Sequence, residues 1–435
     1  MSDVKRIGLL GCGNVGAALV RLLDEHGDDV EQRAGCRLEI VRVAVRDPGK
    51  PRDVPLDASA FVADPWAVLD DPDVDIICEL IGGVDPAKEL ILGAFDRGKP
   101  VVTGNKEVLA GFGRELFDAA DEKGLDLYFE AAVGGGIPLI RPLKESLSGE
   151  RIRRITGIVN GTTNYILSRM AEDGVSFDDA LARAQELGFA EADPTADVEG
   201  FDAASKLAIL ASIAFNARVV GSDVYREGIA SVSADDIRFA RQLGYVVKLL
   251  AIAELDGDLV AARVHPAMIP AGHPLASVSG SFNAVFVEGG KVGELMLYGR
   301  GAGGDPTATA VAGDLVSVAR NLTSGARGVG CTCFYERTIR PMDDLRGLYY
   351  LRLDVEDRPG VLARIAAVFG DHGVSIRSVV QEGSGEEAQL VFITHRALEG
   401  DLQGTVADLR QMPVVYAVQS VLRVEAEDDA GEDLA

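Results

Sequence analysis

The chain has 435 residues, enough for two to four domains at roughly 100–200 residues each. Hydrophobic residues make up 47% of it, which excludes a disordered chain, and the net charge of −25 argues against a nucleic-acid partner because phosphates would be repelled. Five irregularly spaced cysteines without a CxxC pair, no secretory leader and no bilayer-length apolar run favour a reduced cytoplasmic protein without a membrane partner.

The first predicted region, residues 1–135, alternates short apolar strands with helical patterns. It opens with KRIGLLGCGNVGAALVRLL, which is typical of a strand, a glycine turn and a helix. Further strands are predicted at 38–47, 74–82 and 99–105, and helices at 86–98 and 113–124. This alternation predicts an α/β fold with a parallel, doubly wound sheet of the Rossmann type.

The turn GCGNVG predicts a dinucleotide site. It places Gly11, Gly13 and Gly16 in GxGxxG spacing, with Asn14 and Val15 between them. Gly11 permits the tight turn, Gly13 lets a pyrophosphate approach the backbone, and Gly16 lets the helix pack on the strand. The helix N-terminus then faces the anion. An ordinary tight strand–helix turn is the alternative.

Arg46 and Asp47 end the second predicted strand, where the ribose of a dinucleotide is recognised. An acidic residue there binds the 2′-hydroxyl, and an arginine accommodates a 2′-phosphate. Because Arg46 comes first, we expect NADP, with NAD possible. The alternative is a solvated loop charge.

The second predicted region, residues 136–340, is an α+β catalytic and dimerisation domain. Helical patterns cover 177–188 and 233–255, and strand-like stretches follow at 259–264 and 282–298. A glycine-rich turn then begins another helix. We expect residues 300–340 to pack back on the first region.

The third predicted region, residues 347–425, follows a linker at 339–347. Its patterns are typical of a β-α-β-β-α-β order, which predicts a ferredoxin-like sandwich. The acidic stretch 426–435 is predicted to be a frayed tail.

Candidate catalytic groups cluster in two stretches. Lys106 follows the strand of TGNK, at the sheet edge where ligands of open α/β sheets bind. The stretch ELGFAEADPTADVEGFDAASK places Asp202 and Lys206 four residues apart, on one helical face. Such a pair is more often a surface ion pair. Its apolar neighbours favour a cavity instead, where an ammonium is a suitable proton source for a reduced aldehyde.

Residues 1–345 resemble the homoserine dehydrogenase family. The motifs that carry the resemblance occur in the expected order: GCGNVG, TGNK, EAAVGGGIP, NGTTNYIL, ELGFAEADPTADVEGFDAASKLAIL, RVHPAMIP and GRGAGGDPTA. The resemblance implies reversible NAD(P)-dependent reduction of L-aspartate 4-semialdehyde to L-homoserine, in threonine, methionine and isoleucine biosynthesis. It also implies a homodimer or homotetramer.

The resemblance assigns roles to residues of this chain. Lys206 matches the acid/base, and Lys106 matches a second lysine at the cofactor and substrate. Glu191 and Asp202 match substrate-binding residues. Further positions match the nucleotide site, namely Thr103, Gly188 and Gly303. Four positions match a sodium or potassium site formed largely by backbone carbonyls, namely Glu130, Val133, Gly135 and Ile137.

The stretch DRPGVLARIAAVFGDHGVSIRSV resembles an ACT domain, an amino-acid-sensing module. The resemblance implies that a small amino acid binds between two such modules, with threonine as the expected inhibitor. The positions concerned are Asp357, Pro359, Gly360, Val361, Leu362, Gly373, Val374, Ser375 and Ile376. A purely structural dimerisation unit is the alternative.

Two rival functions remain open at this point. One is a non-enzymatic dinucleotide-binding amino-acid sensor, and the other is a different amino-acid dehydrogenase of the same fold. The set of Lys106, Glu191, Asp202 and Lys206 argues against a sensor. Weaker signals are interpreted structurally: His265 and His273 as loop residues, and Cys331 and Cys333 as residues that fill a strand.

Overall fold

The computed structural model describes residues 3–385 and 388–425. They divide into two compact units. Among the described residues, unit 1 comprises 3–159, Ala203–Val224 and Phe282–Arg337, and unit 2 comprises Asn160–Asp202, Tyr225–Ser281, 338–385 and 388–425. The predicted acidic tail, 426–435, lies outside the described residues.

Strands and helices succeed one another along both units. The strands are β1 (Val4–Leu10), β2 (Arg37–Ala44), β3 (Phe61–Val62), β4 (Ile76–Glu79), β5 (Val101–Thr103), β6 (Leu127–Tyr128), β7 (Ile152–Ile158), β8 (Tyr225–Arg226), β9 (Tyr245–Asp256), β10 (Leu259–Pro270), β11 (Phe282–Gly289), β12 (Gly293–Arg300), β13 (Thr338–Ile339), β14 (Arg346–Val355), β15 (Ile376–Glu382), β16 (Gln389–Thr394), β17 (Ala397–Leu398) and β18 (Val415–Val424). The helices are α1 (Asn14–Glu25), α2 (Gly27–Ala34), α3 (Pro65–Asp70), α4 (Ala87–Asp96), α5 (Lys106–Lys123), α6 (Gly161–Asp173), α7 (Phe177–Glu186), α8 (Thr195–Val198), α9 (Phe201–Ala214), α10 (Ala234–Gln242), α11 (Gly304–Ser324), α12 (Val361–Asp371) and α13 (Glu399–Leu409).

A six-stranded parallel sheet organises the first part of unit 1. Its strand order is β3-β2-β1-β4-β5-β6, the order of dinucleotide-binding sheets, and it confirms the predicted doubly wound fold. The central strands are buried on both faces, as Ile7, Leu9, Ile76 and Ile77 show with no exposed surface. The strand order reverses between β1 and β4, and ligands of such sheets bind at the carboxyl ends of the strands at this point.

Helix α11 packs on α1 within the same unit. Ala18 and Leu19 of α1 share a buried cluster with Val311, Leu315 and Val318 of α11. Strands β7, β11 and β12 form an antiparallel ribbon beside this fold in the order β12-β11-β7.

In unit 2, β9 and β10 form a twelve-residue antiparallel hairpin. The prediction of one helix over 233–255 was therefore wrong in its second half. Helix α10 ends at Gln242, and Gly244 has the left-handed φ of 84° that stops a helix. The stretch Val247–Ala253 is buried without alternation and apolar except for Lys248, and a run of that kind does not distinguish a strand from a buried helix.

The C-terminal part of unit 2 is the predicted ferredoxin-like module. Its sheet runs β18-β14-β16-β15, covered by α12 and α13, so the β-α-β-β-α-β order is confirmed. The core contains Leu351, Ile365, Phe369, Phe392 and Leu402. Strand β18 also pairs in parallel with β10, where Ala267 and Met268 face Arg423 and Val424.

Two minor sequence interpretations were wrong. His265 lies in β10 with no exposed surface, not in a loop, because proline is tolerated next to it in this strand. Cys331 and Cys333 lie in a stretch without regular secondary structure, not in a strand. Among the helices of residues 3–385 and 388–425, none is long and apolar enough to cross a membrane.

Candidate active site

The glycine turn has the geometry that a dinucleotide needs. Gly11 has a φ of 96°, and a Cβ atom there would lie 2.7 Å from the Leu80 carbonyl oxygen. A Cβ on Gly16 would collide with the Gly11 carbonyl, whereas one on Gly13 would meet nothing within 4 Å. The backbone is therefore open at Gly13, where a pyrophosphate would approach, and the N-terminus of α1 begins at the next residue, Asn14.

The N-terminus of α11 lies beside this turn. Gly303 caps α11 with a φ of 122°, and a Cβ on Gly304 would lie 3.0 Å from the Asn14 carbonyl oxygen. Two helix N-termini thus meet at one place, and both favour an anion there.

Arg46 is exposed and follows the end of β2 by two residues. Within residues 3–385 and 388–425 its guanidinium has no ion-pair partner, while the neighbouring Asp47 accepts a 2.9 Å bond from the Gly49 amide. Arg46 is therefore an exposed cation near the carboxyl end of β2.

A buried hydrogen-bond network fixes the turn that presents Lys106. The Thr103 hydroxyl donates to Glu79 Oε2 at 2.6 Å and accepts from the Asn105 amide at 3.0 Å. Glu79 has no exposed surface, and burial raises the pKa of its carboxyl. Asn105 caps α5 by accepting from the Val108 amide, so Lys106 is the first residue of that helix. The Thr103 side chain is thus engaged inside the fold, and Glu79 and Asn105 are members of this network that the sequence analysis missed.

Lys206 lies on α9 among buried neighbours, as Leu207 and Leu210 show with no exposed surface. Its side chain is partly buried, and Nζ donates a 2.8 Å hydrogen bond to the Val159 carbonyl. Val159 follows the end of β7 directly. A lysine tolerated within an apolar helix is thus oriented by a main-chain oxygen.

Asp202 lies on the same helix and is 9% exposed. Its Oδ2 accepts a 2.9 Å hydrogen bond from Asn160 Nδ2, which also donates to Asp197 Oδ1 at 2.6 Å. The Asn160 Oδ1 atom caps α6 by accepting from the Thr163 amide at 2.9 Å. Asn160 therefore joins two carboxylates of the acidic stretch, and the sequence signal for it was an asparagine directly before a helix pattern.

Gly188 and Glu191 lie in the exposed turn between α7 and α8. Gly188 has a φ of 73°, and the main-chain oxygen of Glu191 accepts from Gln185 Nε2 at 3.0 Å. The structure therefore leaves the Glu191 carboxylate at the surface while it buries Asp202.

The segment 225–229 contacts the end of this acidic stretch and the start of α9. Arg226 donates to the Glu199 carbonyl at 3.1 Å and stacks 3.4 Å above the ring of Phe201, the first residue of α9. The Ile229 amide donates to the Val198 carbonyl at 2.9 Å. These contacts fix the start of the helix that carries Asp202.

The opposite side of that segment binds the ferredoxin-like module. Arg423 of β18 donates to Glu227 at 2.6 and 2.9 Å and to Glu399 at 2.6 and 3.0 Å. Burial opposes the charge of Glu227, but its bonds to Arg423 hold the pKa of this carboxyl below its ordinary value. Removing one partner of such a buried cluster leaves an uncompensated charge.

The positions that the resemblance assigns to a cation include Glu130, whose carboxylate already accepts three hydrogen bonds. Glu130 Oε1 accepts from the amides of Leu139 and Ile140 at 2.6 and 2.8 Å, and Oε2 accepts from Arg141 at 2.9 Å. The Glu130 amide donates to Asp314 Oδ2 at 2.7 Å. Val133, Gly135 and Ile137 follow Glu130 as buried residues of the same loop between β6 and β7.

The module's predicted ligand positions divide into buried and open ones. Val361 and Val374 are 4% and 2% exposed and belong to the core, whereas Leu362 is 40% exposed. Gly360 caps α12 with a φ of 89°, and Gly373 has a φ of 71°. Asp357 accepts from Gln381 Nε2 and from the Gly385 amide. Pro359 lies in the exposed turn before α12, and Ser375 and Ile376 lead into β15.

A dinucleotide turn at the carboxyl edge of a parallel sheet, with a lysine oriented on a neighbouring buried helix of the same unit, defines an oxidoreductase of the nicotinamide-dinucleotide class. Family models described as "Homoserine dehydrogenase, NAD binding domain", "Homoserine dehydrogenase" and "ACT domain" match residues 11–130, 138–316 and 349–414. The chain belongs to the homoserine dehydrogenase family.

Relatives and solved structures support that membership. A homoserine dehydrogenase of Corynebacterium glutamicum is 50% identical over 424 residues, which cover 96% of this chain and 95% of the relative. The crystal structure of one from Thiobacillus denitrificans, 41% identical, superposes with a TM-score of 0.91 over 98% of this chain and 100% of that one. A hyperthermophilic archaeal homoserine dehydrogenase in complex with NADPH, 28% identical, gives a TM-score of 0.63 over 75% of this chain and 99% of that one.

Proposed function

We propose that the protein catalyses the reversible reduction of L-aspartate 4-semialdehyde to L-homoserine with NADPH, in the biosynthesis of threonine, methionine and isoleucine. The observation that carries this proposal is Lys206 on a buried helix, with Nζ held by the Val159 carbonyl. Family membership supplies the reaction, and the oriented ammonium supplies the acid that the reaction needs.

The chemistry follows from the charge that develops on the aldehyde oxygen. The reduced nicotinamide, when bound, supplies hydride to the carbonyl carbon. An ammonium has three N–H donors, and the Val159 carbonyl takes one from Lys206. Lys206 stabilises the developing alkoxide, protonates it, and accepts the same proton in the reverse direction. Lys106 is the second lysine of the proposed site. It begins α5, just after the carboxyl end of β5, and orients the cofactor and the substrate.

The substrate carries an ammonium group of its own, which needs carboxylates. Asp202 is the buried candidate, and the Asn160 bridge to Asp197 keeps these two carboxylates near one another. The amide between them reduces their mutual repulsion, because it donates to both. Glu191, at the surface in this structure, would meet the substrate only if its turn moved.

The cofactor preference rests on Arg46. An exposed guanidinium near the end of β2, with no ion-pair partner in the part of the chain that the structure describes, suits the 2′-phosphate of NADP. The archaeal relative was solved with NADPH, which supports the same choice. Glycine positions Gly11, Gly13 and Gly16, together with Asn14 and Val15, would hold the pyrophosphate.

A sodium or potassium ion is proposed at the turn of Glu130, Val133, Gly135 and Ile137. The Glu130 side chain binds three amides, so it organises the loop and leaves carbonyl oxygens as ligands. An ion bound there would fix the loop between β6 and β7. The five free thiols fit the reducing cytoplasm, where we place the protein as a homodimer or homotetramer.

Regulation by threonine is proposed through the C-terminal module. The contacts that support it lie within unit 2: Arg423 and Glu399 of the module bind Glu227, and the adjacent Arg226 binds Glu199 and Phe201. An effector that binds one conformation of the module better than another can shift the acidic stretch through this cluster.

One assay tests the proposal directly. NADPH absorbance is followed on adding aspartate semialdehyde, NADH is compared, and threonine is titrated. Consumption of NADPH with formation of homoserine is expected. If neither cofactor is consumed, the catalytic proposal fails and a dinucleotide-binding amino-acid sensor describes the protein better.

A further inference from the structure

Cys331 and Cys333 line a cavity of about 530 Å³ in unit 1. Helix α5 contributes Leu109 and Phe117 to the cavity, and α9 contributes Ile209 and Ser212. Helix α5 begins with Lys106, and α9 carries Lys206. The cavity therefore lies against both helices that hold the candidate catalytic lysines.

The segment that carries the two cysteines is anchored at both ends. On one side Arg327 donates to Asp121 at 2.6 Å. On the other side the Tyr335 amide donates to the Asn216 carbonyl at 2.9 Å, and Arg337 donates to the Phe215 carbonyl at 3.2 Å. Phe215 and Asn216 directly follow α9. A change in the chain at Cys331–Cys333 thus acts on the C-terminal end of the helix that carries Lys206.

The two cysteines lie side by side, and the main-chain amide of Cys333 donates to Cys331 Sγ at 3.4 Å. Lys144 lines the same cavity, and its Nζ donates at 2.9 Å to the carbonyl of Val329, two residues before Cys331. Arg218 is a second cation on the wall. The Cys333 thiol, as hydrogen-bond donor, and the Lys144 charge hold the pKa of Cys331 down to about 6, and the pKa of Cys333 is raised.

The other three cysteines lack this environment. Cys36 and Cys78 have no exposed surface. Burial raises the pKa of Cys12, Cys36 and Cys78. Of the five, Cys331 and Cys333 combine solvent access with a neighbouring cation and a second thiol, and Cys331 is the one whose pKa is lowered, which is the environment of a reactive cysteine.

We propose that Cys331 and Cys333 form a hydroperoxide-sensitive dithiol whose oxidation to a disulfide lowers turnover through α9. The Cys331 thiolate attacks the O–O bond of the peroxide, so that hydroxide leaves and Cys331 becomes a sulfenic acid. Cys333 then attacks that sulfur, an S–S bond forms, and water leaves. Two electrons pass from the thiols to the peroxide, and the thiol protons end in the two waters formed.

Closing this ring constrains the anchored segment. A disulfide needs a Cα separation of about 4.4–6.8 Å, whereas two residues of fully extended chain span roughly 6.6–7.2 Å. The bond restricts the segment to compact conformations, and the Tyr335 and Arg337 contacts transmit the change to Phe215 and Asn216. The effect on turnover rests on the proposed reaction, but the thiol chemistry does not.

The thiol chemistry is tested on the full-length reduced protein with one equivalent of hydrogen peroxide and peptide mapping. A Cys331–Cys333 disulfide is expected in the wild type. In Cys333→Ser, dimedone should trap a sulfenic acid on Cys331, and Cys331→Ser should stay reduced. Cys36→Ala, which removes a thiol outside the pair, should react as the wild type. Equal oxidation of Cys331→Ser and wild type would overturn the proposal.

Alkylation of the unmutated protein provides a test that needs no variant. Iodoacetamide should modify Cys331 with a half-maximal rate near pH 6, and at pH 7 about two- to threefold faster than an ordinary thiol, because the larger thiolate fraction outweighs its lower nucleophilicity. A midpoint near the usual thiol value of about 8.5 would refute the reactive thiolate.

Activity tests the coupling to α9. Peroxide should lower turnover severalfold, dithiothreitol should restore it, and Cys331→Ser should be insensitive. Full turnover of the disulfide form would overturn the proposal. A reduced enzyme that does not act on aspartate semialdehyde at all would instead refute the proposed function. The peptide maps would then still show whether Cys331 and Cys333 form a disulfide.

Discussion

Lys206 Nζ donates a 2.8 Å hydrogen bond to the main-chain oxygen of Val159, the residue that follows β7. A carbonyl is neutral, so it orients the ammonium without neutralising it. This arrangement suits a group that must meet developing negative charge on a substrate.

Lys206→Ala should fold and bind cofactor but lose turnover by at least about a hundredfold, since general acid–base groups contribute about 10²–10⁴-fold. The measurement is kcat with NADPH and aspartate semialdehyde. Ser205→Ala, a change at the preceding residue of α9, is the control and should keep kcat. Near-normal kcat in Lys206→Ala would remove the lysine from the mechanism.

Asn160→Ser separates two roles of one side chain. Serine retains an oxygen that can cap α6, but it lacks the amide that donates to Asp197 and Asp202. We expect a higher KM for aspartate semialdehyde with a melting temperature near that of the wild type. Asn160→Ala should show the same KM and also lose about 1 kcal/mol of stability with the cap. An unchanged KM in both variants would contradict the substrate role of this cluster.

Arg46→Asp should raise the KM for NADPH more than that for NADH, because the carboxylate repels a 2′-phosphate and can accept from a 2′-hydroxyl. Both constants are measured on one preparation. Lys50→Asp makes the same charge change nearby in the exposed loop, so it separates specific contact from the general field. If Arg46→Asp changed the KM for NADPH and the KM for NADH equally, Arg46 would not contact the 2′-phosphate.

Glu227→Gln should weaken threonine inhibition, because it removes the charge that Arg423 binds between the module and the acidic stretch. The concentration of threonine that halves activity should rise severalfold, and the protein should also lose stability because Arg423 stays buried. Glu382→Gln is the control: its exposed pair with Arg238 also joins the module to α10, and exposed pairs contribute little. Equal inhibition curves for Glu227→Gln and wild type would exclude this path.

The buried Lys248 gives a pH-dependent stability. Burial lowers its pKa from 10.5 to about 8, so between these values the unfolded chain binds more protons than the folded one. The free energy of unfolding therefore rises with pH across that window, by on the order of 3 kcal/mol for this group. Lys248→Met should lack the rise, so the difference between the two proteins, measured by urea unfolding from pH 7.5 to 10, isolates it. If the free energies of unfolding of the two proteins changed in parallel with pH, Lys248 would not change its charge in the folded protein within this window, and the prediction would be wrong.

Elements with a clear local pattern could be predicted from the sequence. The parallel sheet, the glycine turn and the ferredoxin-like module each follow from strand and helix patterns separated by turn residues. Strands β3 and β6 have only two residues, too few for any periodicity, so they were missed. The run of mostly apolar residues in β9 is buried on both faces, and its pattern alone fits a helix equally well. Gly244, whose positive φ ends α10, is the residue that separates the helix from the strand.

The candidate site was predictable only where its residues lie near one another in the chain. Asp202 and Lys206 belong to one helix, so their relation could be read from spacing. The partners of Thr103 and Lys206, Glu79 and Val159, lie 24 and 47 residues away. The Arg423–Glu227 pair spans 196 residues, and no local pattern indicates a contact of that kind.

Strand β18 is the last element of the described chain, yet it pairs with β10, and the Glu425 amide donates to the Met268 carbonyl at 2.8 Å. During synthesis this edge of β10 stays without that partner until residues 415–425 have left the ribosome. Glu227 and Glu399 also lack their ion-pair partner until Arg423 has been made. A prematurely terminated chain would therefore display an unpaired strand edge, which promotes aggregation, together with carboxylates that lack their arginine. The pairing of β10 is thus complete only when the last strand of the described chain has been made.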